Sequence, residues 1–378
     1  RLGLSAPRVD APPRRADTPP MAATTLISGA GIAGPALAWW LRHFGFRATV
    51  VERAAALRRG GHAIDIRGRA LDVTAAMGLA DAVHDLRTHM RGMSALDADG
   101  KEIFRTEERS ASGGRFDSGD VEVFRDDLCR LLLDATRDGV DYIWNDSITG
   151  VTQDGTGCAV TFEHAPQRRF DLVVGADGLR SHLRNLVFGD EAPFLHPLGV
   201  GLAFFTVPNY LGLADWQYTH RSGENGYIIF PNRDNTELRV GIGFAALPGD
   251  DARLDAAGQK ALVAERCGQM RGEVPRLLAA MRDATDFYYG VLAQVRMSPW
   301  SSGRVTLLGD AGYCPSPFSG QGTSLALVGA YVLARELSRT PADHATAFAR
   351  YEAKMQPYVT LNQNLVDLTR DGPIPDEQ

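Results

Sequence analysis

One glycine-rich turn constrains the fold more than any other feature of the chain. The sequence GAGIAG occupies positions 29–34, between an apolar run at 24–28 and a second apolar stretch at 33–44. In a strand–turn–helix of this kind, the glycines allow a tight turn and the close approach of a pyrophosphate to the helix N-terminus. Glu52 follows a second predicted strand at 47–51, where an acidic side chain accepts hydrogen bonds from a ribose. The pattern predicts dinucleotide binding; the alternative is a glycine-rich turn without a ligand.

The composition is that of a globular protein, and it argues against several classes of function. The 378 residues are 44% hydrophobic and carry a formal net charge of −6 without a basic block, so nucleic acid is not an expected partner. The four cysteines are far apart and form no Cys/His cluster, which predicts neither disulfides nor a metal site and favours a cytoplasmic location.

The N-terminal residues need separate treatment. Residues 1–20 are rich in Pro and Arg without apolar periodicity, and they are predicted to be a disordered leader. The uncharged stretch at 21–41 follows Arg14 and Arg15, so it resembles a twin-arginine signal or a membrane span. Its glycines and Pro35 favour the strand–turn–helix instead, and no membrane association is expected.

Two further segments have the same strand–loop–helix order. At 172–189, the sequence LVVGADGLRSHLRNLVFG ends a strand at Asp177; taken alone, it is equally a turn followed by a capping Ser181 and a surface Arg184. At 304–322, RVTLLGDAGYCPSPFSGQG ends a strand at Asp310 and leads through a loop poor in side chains into a predicted helix at 323–338. Such a loop lets backbone approach a ligand, with Asp310 as acceptor for a polyol hydroxyl; the alternative is an exposed Asp in a glycine–proline loop.

The remaining pattern predicts an α/β fold. Turn-punctuated strands at 200–245 predict an antiparallel sheet, followed by helices near 252–267 and 273–281. We therefore expect a discontinuous Rossmann-like nucleotide-binding domain with an inserted, mainly antiparallel β-sheet domain for the substrate and a C-terminal helix. The predicted boundaries are 21–92, 121–190 and 290–340 for the first domain, 93–120 and 191–289 for the second, and 341–378 for the C-terminal helix and tail.

The three motifs, in this order and at these separations, resemble those of the FAD-dependent aromatic hydroxylases, single-component flavin monooxygenases typified by para-hydroxybenzoate hydroxylase. The chain looks most similar to the shorter bacterial members, including tetracycline-inactivating and antibiotic-tailoring enzymes. The resemblance covers about residues 24–358. It implies FAD as cofactor, NADPH or NADH as co-substrate, molecular oxygen, and an aromatic small molecule as substrate.

The resemblance also implies roles for individual residues. The glycine turn and Glu52 hold the ADP half of FAD, and Asp310 binds the ribityl chain. Arg125, in an R-x-x-L pattern, contacts the flavin, and Asp65 lies where tetracycline-inactivating relatives place an aspartate near it. The segment at Asp177 serves the FAD pyrophosphate and NAD(P)H. The predicted cofactor-binding residues are Gly29, Gly31, Ala33, Gly34, Glu52, Arg53, Asp65, Arg125, Asp177, Gly178, Arg184, Asp310, Gly320, Gly322 and Thr323.

The chain departs from the family pattern at two places. Relatives usually continue Gly-Asp-Ala-Ala-His, where this chain reads Gly309-Asp310-Ala311-Gly312-Tyr313. Relatives often have Asp-Ala inside the following helix, where this chain has Gly329-Ala330. Both departures concern how the protein packs around the flavin.

The implied reaction is a hydroxylation. NADPH or NADH reduces the flavin, oxygen adds to give a flavin hydroperoxide, and its distal oxygen passes to an electron-rich carbon of an aromatic or polyketide-like molecule, in antibiotic tailoring or inactivation. No catalytic side chain is assigned. A base that deprotonates a phenol would come from the inserted sheet, although each candidate alone is more often a packing residue. The candidates are Tyr210, Tyr218, His220 and Tyr227.

Three alternative functions stay open. A flavin-dependent halogenase would need a Gly-Trp-x-Trp-x-Ile-Pro segment, which the five tryptophans do not form. A reductase or dehydrogenase of the same fold would turn over without oxygen. A non-catalytic flavoprotein that sequesters an aromatic drug would bind it without consuming NAD(P)H. A monomer or weak dimer is expected.

Overall fold

A computed structural model describes residues 23–111, 114–247, 249–250 and 254–366, so the predicted leader at 1–20 lies outside the described residues. In chain order, the elements are β1 (Thr24–Ser28), α1 (Ala33–His43), β2 (Arg47–Glu52), β3 (Ala63–Ile66), α2 (Arg69–Ala76), α3 (Ala80–Asp85), β4 (Gly92–Leu96), β5 (Glu102–Thr106), β6 (Val121–Phe124), α4 (Arg125–Thr136), β7 (Asp141–Trp144), β8 (Ile148–Asp154), β9 (Gly157–Phe162), β10 (Arg168–Phe170), β11 (Leu172–Gly175), α5 (His182–Phe188), β12 (Leu195–Pro208), β13 (Trp216–Ser222), β14 (Asn225–Pro231), β15 (Glu237–Ala245), α6 (Ala256–Cys267), α7 (Val274–Asp283), β16 (Tyr288–Val295), β17 (Ser301–Ser302), β18 (Val305–Leu307), α8 (Asp310–Tyr313), α9 (Gly322–Arg339) and α10 (His344–Asn364).

A six-stranded sheet of order β17-β18-β11-β1-β2-β7 forms the nucleotide-binding part, and all its pairs except β17–β18 are parallel. Its inner strands β2, β1, β11 and β18 are largely buried, because both faces of the sheet are covered, as parallel sheets require. Ile27 and Val174 point into a core shared with α1, α4, α9 and α10, while Leu26 and Val173 point into a second core with the small β8–β10 sheet. The carboxyl ends of β1, β11 and β18 carry the three motifs to one edge.

A seven-stranded sheet of order β16-β12-β15-β14-β13-β4-β5 forms the second part, with all pairs antiparallel except β13–β4. Side chains alternate between its faces. One face, with Val240 and Phe244 among its residues, packs against α6 and α7. The opposite face carries Phe204 and Arg239, which contact the cofactor-binding part of the chain.

The predicted fold class is confirmed: an α/β chain with a Rossmann-like parallel sheet, an antiparallel sheet and C-terminal helices. One local expectation is wrong, because the segment after β18 is not loop throughout. Gly309 ends the strand at a φ of +63°, and its carbonyl accepts hydrogen bonds from the N–H groups of Gly312 and Tyr313, which closes the single turn of α8. Among the described helices, none has the length and apolar character needed to cross a bilayer.

Candidate cofactor and active site

The turn between β1 and α1 needs glycine at two positions for steric reasons. A Cβ added to Gly29, whose φ is +105°, would lie 2.5 Å from the carbonyl oxygen of Ala176. A Cβ on Gly34 would lie 1.9 Å from the carbonyl oxygen of Gly29. Gly31 differs, because the nearest atom to its hypothetical Cβ is Nη2 of Arg125, 4.0 Å away. A methyl on Gly31 would thus be in ordinary van der Waals contact with the Arg125 guanidinium, and we call the space between Gly31 and this guanidinium the gap.

The N-terminus of α1 lies at the same gap. The helix begins after Ile32 without a side-chain cap, so its first N–H groups and the positive end of its dipole remain for a ligand. Ala33, in the first turn, lies close to Gly309: a Cβ added to Gly309 would be 3.3 Å from the Ala33 methyl. The first and third motifs are thus in direct contact.

Glu52 fixes the turn to the end of β2. Its Oε2 accepts a hydrogen bond from the N–H of Ala30 at 2.8 Å, and its Oε1 accepts one from Ala54 at 2.9 Å. Each carboxylate oxygen keeps a second acceptor site for a ribose hydroxyl. Arg53, next along the chain, is exposed.

In the second motif, the polar side chains cap a helix. The Asp177 carboxylate accepts hydrogen bonds from the Ser181 hydroxyl at 2.5 Å and from the Leu183 N–H at 3.0 Å. Ser181 in turn accepts from the N–H of Arg184, so it is the N-cap of α5. Gly178 has a φ of +84° and open space around it.

Arg184 is fully buried, not the surface residue of the simpler interpretation. Its guanidinium donates to the carbonyl oxygens of Ala311 at 2.8 Å and Leu179 at 2.9 Å, and it pairs with Glu191 at 3.1 Å. Burial lowers the pKa of Arg184, against the opposing charge of Glu191. These contacts connect the second motif to the turn that carries Asp310.

Asp310 is half-buried at the start of α8. A Cβ on Gly322, the first residue of α9, would lie 3.9 Å from Oδ1 of Asp310. Burial raises the pKa of Asp310, while the Cys314 thiol and the charge of Arg125 oppose the shift. The carboxylate therefore lies beside the N-terminus of an 18-residue helix and within the electrostatic influence of Arg125.

Asp65 contacts the third motif through an arginine. It is buried and pairs with Arg67 at 2.9 Å. A Cβ on Gly320, which has a φ of +64°, would lie 3.4 Å from Nη1 of Arg67. The Arg67 N–H donates to the hydroxyl of Ser324, the residue after the half-buried Thr323. Asp65 thus holds Arg67, which contacts the loop before α9.

Arginine side chains lie around the gap beside Gly31. His62 lies in the loop before β3, and its carbonyl accepts a hydrogen bond from the N–H of Arg125. Burial, together with the charges of Arg125 and Arg58, lowers the pKa of His62 to about 4. The site thus combines glycine-rich turns, two helix N-termini and nearby arginine side chains. This combination fits a dinucleotide with an anionic pyrophosphate. Among the described residues, no group of His, Cys, Asp and Glu could hold a metal ion.

Sequence reasoning missed the contacts between the gap and the large antiparallel sheet. The His62 ring stacks on Phe204 of β12, with centroids 4.8 Å apart. Arg239 of β15 pairs with Asp126 at 3.4 Å, and Asp126 also accepts from the N–H of Gly60. The available signal was the pair Gly60-Gly61 at the end of a loop between strands, which allows close approach of another backbone.

The sheet face around Phe204 is poor in side chains. Gly241 lies opposite Phe204 on the neighbouring strand, and Gly243 lies opposite Leu202. A Cβ on Gly241 would come within 2.8 Å of the Phe204 ring, whereas one on Gly243 would meet nothing closer than 3.7 Å. We call this surface, made by Leu202, Phe204, Gly241 and Gly243, the glycine face.

The four candidate bases lie on the other side of the sheet. Tyr227 is buried in the core against α6 and α7, opposite His220, and Tyr210 and Tyr218 pack against the same core. Burial raises the pKa of Tyr227 to about 12. Tyr210 donates to Glu273 at 2.9 Å. These side chains are therefore packing residues, as the simpler interpretation expected, and none faces the gap.

Together with the fold, this arrangement is that of an FAD-binding oxidoreductase. The family described as FAD binding domain matches residues 22–362. An uncharacterised protein of Mycobacterium tuberculosis is 46% identical over 360 residues, which are 94% of this chain and 96% of that protein. A flavin-dependent monooxygenase from an unknown prokaryotic organism is 41% identical over 338 residues, 89% of this chain and 87% of that protein.

Among solved structures, the crystal structure of tetracycline destructase Tet(55) matches with a TM-score of 0.83 and 38% identity, covering 95% of this chain and 93% of that one. The chain belongs to the FAD binding domain family. It is an FAD-dependent monooxygenase, and the predicted family and cofactor are confirmed.

Proposed function

We propose that this monooxygenase uses NADPH or NADH to hydroxylate an aromatic or polyketide-like small molecule, in antibiotic tailoring or inactivation. The glycine face carries the proposal, because its two glycines leave it poor in side chains next to Phe204, which stacks on His62 near the predicted flavin contacts. Tetracycline destructase Tet(55), with 38% identity, supports a large fused-ring substrate. Cytoplasmic location and a monomeric or weakly dimeric state stay predictions.

FAD supplies hydride acceptance and oxygen transfer when bound, so the protein must bind, orient and exclude water. Gly31, the N-terminus of α1 and Arg125 would hold the pyrophosphate. Asp310 and the N-terminus of α9 would hold the ribityl chain and the edge of the flavin. Phe204 and the glycine face would position the substrate ring. Arg184, through Ala311, orients the turn that carries Asp310.

A screen of aromatic compounds by oxygen uptake tests the proposal. We expect one class of compound to make oxygen and NAD(P)H consumption equal and to gain one oxygen atom by mass. NAD(P)H oxidation that is independent of oxygen would instead identify a reductase or dehydrogenase. Tight binding of a compound without NAD(P)H consumption would identify a sequestering flavoprotein.

Asp310→Ala is expected to weaken FAD binding by about tenfold to a hundredfold, the effect of losing a charge-assisted hydrogen bond of about 1.5–3 kcal/mol. Quenching of flavin fluorescence on titration measures the dissociation constant. Asp134→Ala, at an exposed aspartate of α4, is the control and should leave it unchanged. An unchanged constant for Asp310→Ala would identify Asp310 as a turn residue only.

His62 predicts a pH dependence of stability in the FAD-free protein. Its folded-state pKa of about 4 lies below the ordinary value of 6.5, so between these pH values the unfolded chain binds the proton more readily. Stability should therefore rise by about 1–3 kcal/mol as the pH increases from 4 to 6.5, allowing for partial exposure. His62→Gln should remove this rise in urea unfolding, and the exposed His164→Gln should keep it. Parallel curves for His62→Gln and the parent chain would contradict the assignment.

A further inference from the structure

The two departures from the family pattern meet in space. Tyr313 is fully buried, and a Cβ on Gly329 of α9 would lie 2.2 Å from its hydroxyl oxygen. The same Cβ would lie 3.5 Å from Cζ of the Tyr313 ring, an ordinary contact. The absence of a side chain at 329 thus makes room chiefly for the hydroxyl. The other close atom is Cδ1 of Leu308, 3.1 Å away, at the flexible end of a side chain.

The Tyr313 hydroxyl has a partner on a third element. It lies 3.0 Å from the hydroxyl of Tyr351 on α10, which donates to the carbonyl oxygen of Leu307 at 3.1 Å. Trp300 packs against Tyr313, with ring centroids 4.5 Å apart. Burial raises the pKa of Tyr313 to about 12, so both hydroxyls stay neutral and able to donate at physiological pH. We call Tyr313, Gly329 and Tyr351 the tyrosine triad.

The triad is joined to the predicted ribityl contact. Tyr313 ends α8, the single helical turn that Asp310 begins, and its N–H donates to Gly309 at 2.9 Å. A helix of one turn has almost no stability of its own, so anchors outside it must set its position. Arg184 holds the turn at Ala311, and the tyrosine triad holds it at the opposite end from Asp310.

We propose that the tyrosine triad is a set of positioning residues, which fixes the Asp310 carboxylate beside the N-terminus of α9 for FAD. This inference rests on the proposed contact of Asp310 with the ribityl chain. None of the three residues needs to touch the cofactor, since the contacts of the two tyrosines are with each other, with Trp300 and with the carbonyl of Leu307. In place of the family's His and Asp, this chain uses a Tyr–Tyr hydroxyl pair and a helix glycine.

A double-mutant cycle tests the inference. In Gly329→Ala, the new methyl displaces the Tyr313 hydroxyl and with it α8, so FAD binding should weaken by about tenfold, or about 1.4 kcal/mol. Tyr313→Phe removes the hydroxyl that clashes but also its hydrogen bond to Tyr351, so this variant alone should weaken FAD binding by about threefold. Adding Gly329→Ala to Tyr313→Phe should then change the dissociation constant no further. Fluorescence titration measures the constants, and the visible spectrum of bound flavin shows whether its surroundings shift.

The outcomes separate positioning from mere packing. If Gly329→Ala lowers Tm but leaves the FAD constant and the flavin spectrum at parent values, the triad is only structural and the inference is overturned. If Gly329→Ala does not fold, Tyr351→Phe takes its place, with an expected weakening of at least about threefold from the loss of its two neutral hydrogen bonds, to Tyr313 and to Leu307. Parent values for folded Tyr351→Phe would then overturn it.

Asp310→Asn, measured in parallel, tests separately the proposed contact of Asp310 with FAD, on which this inference depends. If Asp310→Asn leaves FAD binding unchanged, the proposed role of Asp310 is wrong and the inference falls with it. If Asp310→Asn weakens binding and Gly329→Ala does not, only the positioning role is overturned. Weakening in both, with no further effect of Gly329→Ala in the Tyr313→Phe background, supports the two together.

Discussion

Gly34→Ala is expected to destabilise the protein by about 3 kcal/mol, the upper end of the range of about 1–3 kcal/mol that is typical when a side chain is forced into a filled site, and to abolish FAD binding. The added methyl would lie 1.9 Å from the carbonyl oxygen of Gly29, and this neighbour is backbone that cannot turn away. Relief requires α1 to move off β1, which opens the core around Ile27 and Leu37. Urea unfolding and retention of flavin through purification measure the two effects.

Gly31→Ala is the matched control, because it adds the same methyl three residues away. Its nearest contact is the flexible end of Arg125 at 4.0 Å, so unfolding should match the parent chain within about 0.5 kcal/mol. FAD binding should nevertheless weaken sharply, since the methyl enters the gap that the pyrophosphate needs. Equal loss of stability in the two variants would contradict the steric argument, and unchanged FAD binding in Gly31→Ala would contradict the position assigned to the pyrophosphate.

The parts of the fold that were predicted depend on local pattern. Strand, turn and helix at 24–43 follow from apolar runs and the spacing of Gly29, Gly31 and Gly34, and they agree with the structure within a residue. The antiparallel sheet at 200–245 was likewise visible from turn residues between β-rich runs. The parallel pairing of β4 with β13 was not, because it joins residues more than a hundred positions apart and no local preference encodes it.

In the candidate site, too, local pattern predicts some residues, and only tertiary contacts show the others. Asp310 and the glycine loop could be found because they interrupt an apolar run. His62 and Arg239 could not, because their importance comes from contacts with Phe204 and Asp126 across the two sheets. The relation between Tyr313 and Gly329 was visible only as two separate departures, since their compensation depends on the crossing of α8 and α9.

An aromatic substrate is expected to accelerate reduction of the flavin by NADPH at least a hundredfold. The sequence has one glycine-rich dinucleotide motif, which the resemblance assigns to FAD, so NAD(P)H must visit an open cleft and leave before oxygen chemistry begins in a dry site. Contacts between the antiparallel sheet that carries the glycine face and the FAD-binding part of the chain include the His62–Phe204 stack and the Arg239–Asp126 pair. The stack contributes about 0.5–1.5 kcal/mol beyond its buried area, and the ion pair, whose side chains are 13% and 15% exposed, loses much of its Coulomb energy to desolvation. We therefore expect two arrangements of close energy.

A ligand shifts such an equilibrium only through different affinities for the two arrangements. A hundredfold acceleration needs about 2.7 kcal/mol, which burial of one aromatic ring on the glycine face and one hydrogen bond can supply.

Arg239→Gln, which removes the ion pair with Asp126, should raise the rate of flavin reduction without substrate and decrease the acceleration that the substrate causes. Arg276→Gln, where the guanidinium stacks on Tyr210 in the α6–α7 part of the sheet, is the control and should leave both rates unchanged. Stopped-flow bleaching of the flavin by NADPH, with and without a substrate from the oxygen-uptake screen, measures these rates. Equal rates in the parent chain would show that reduction is ungated and would favour the reductase alternative.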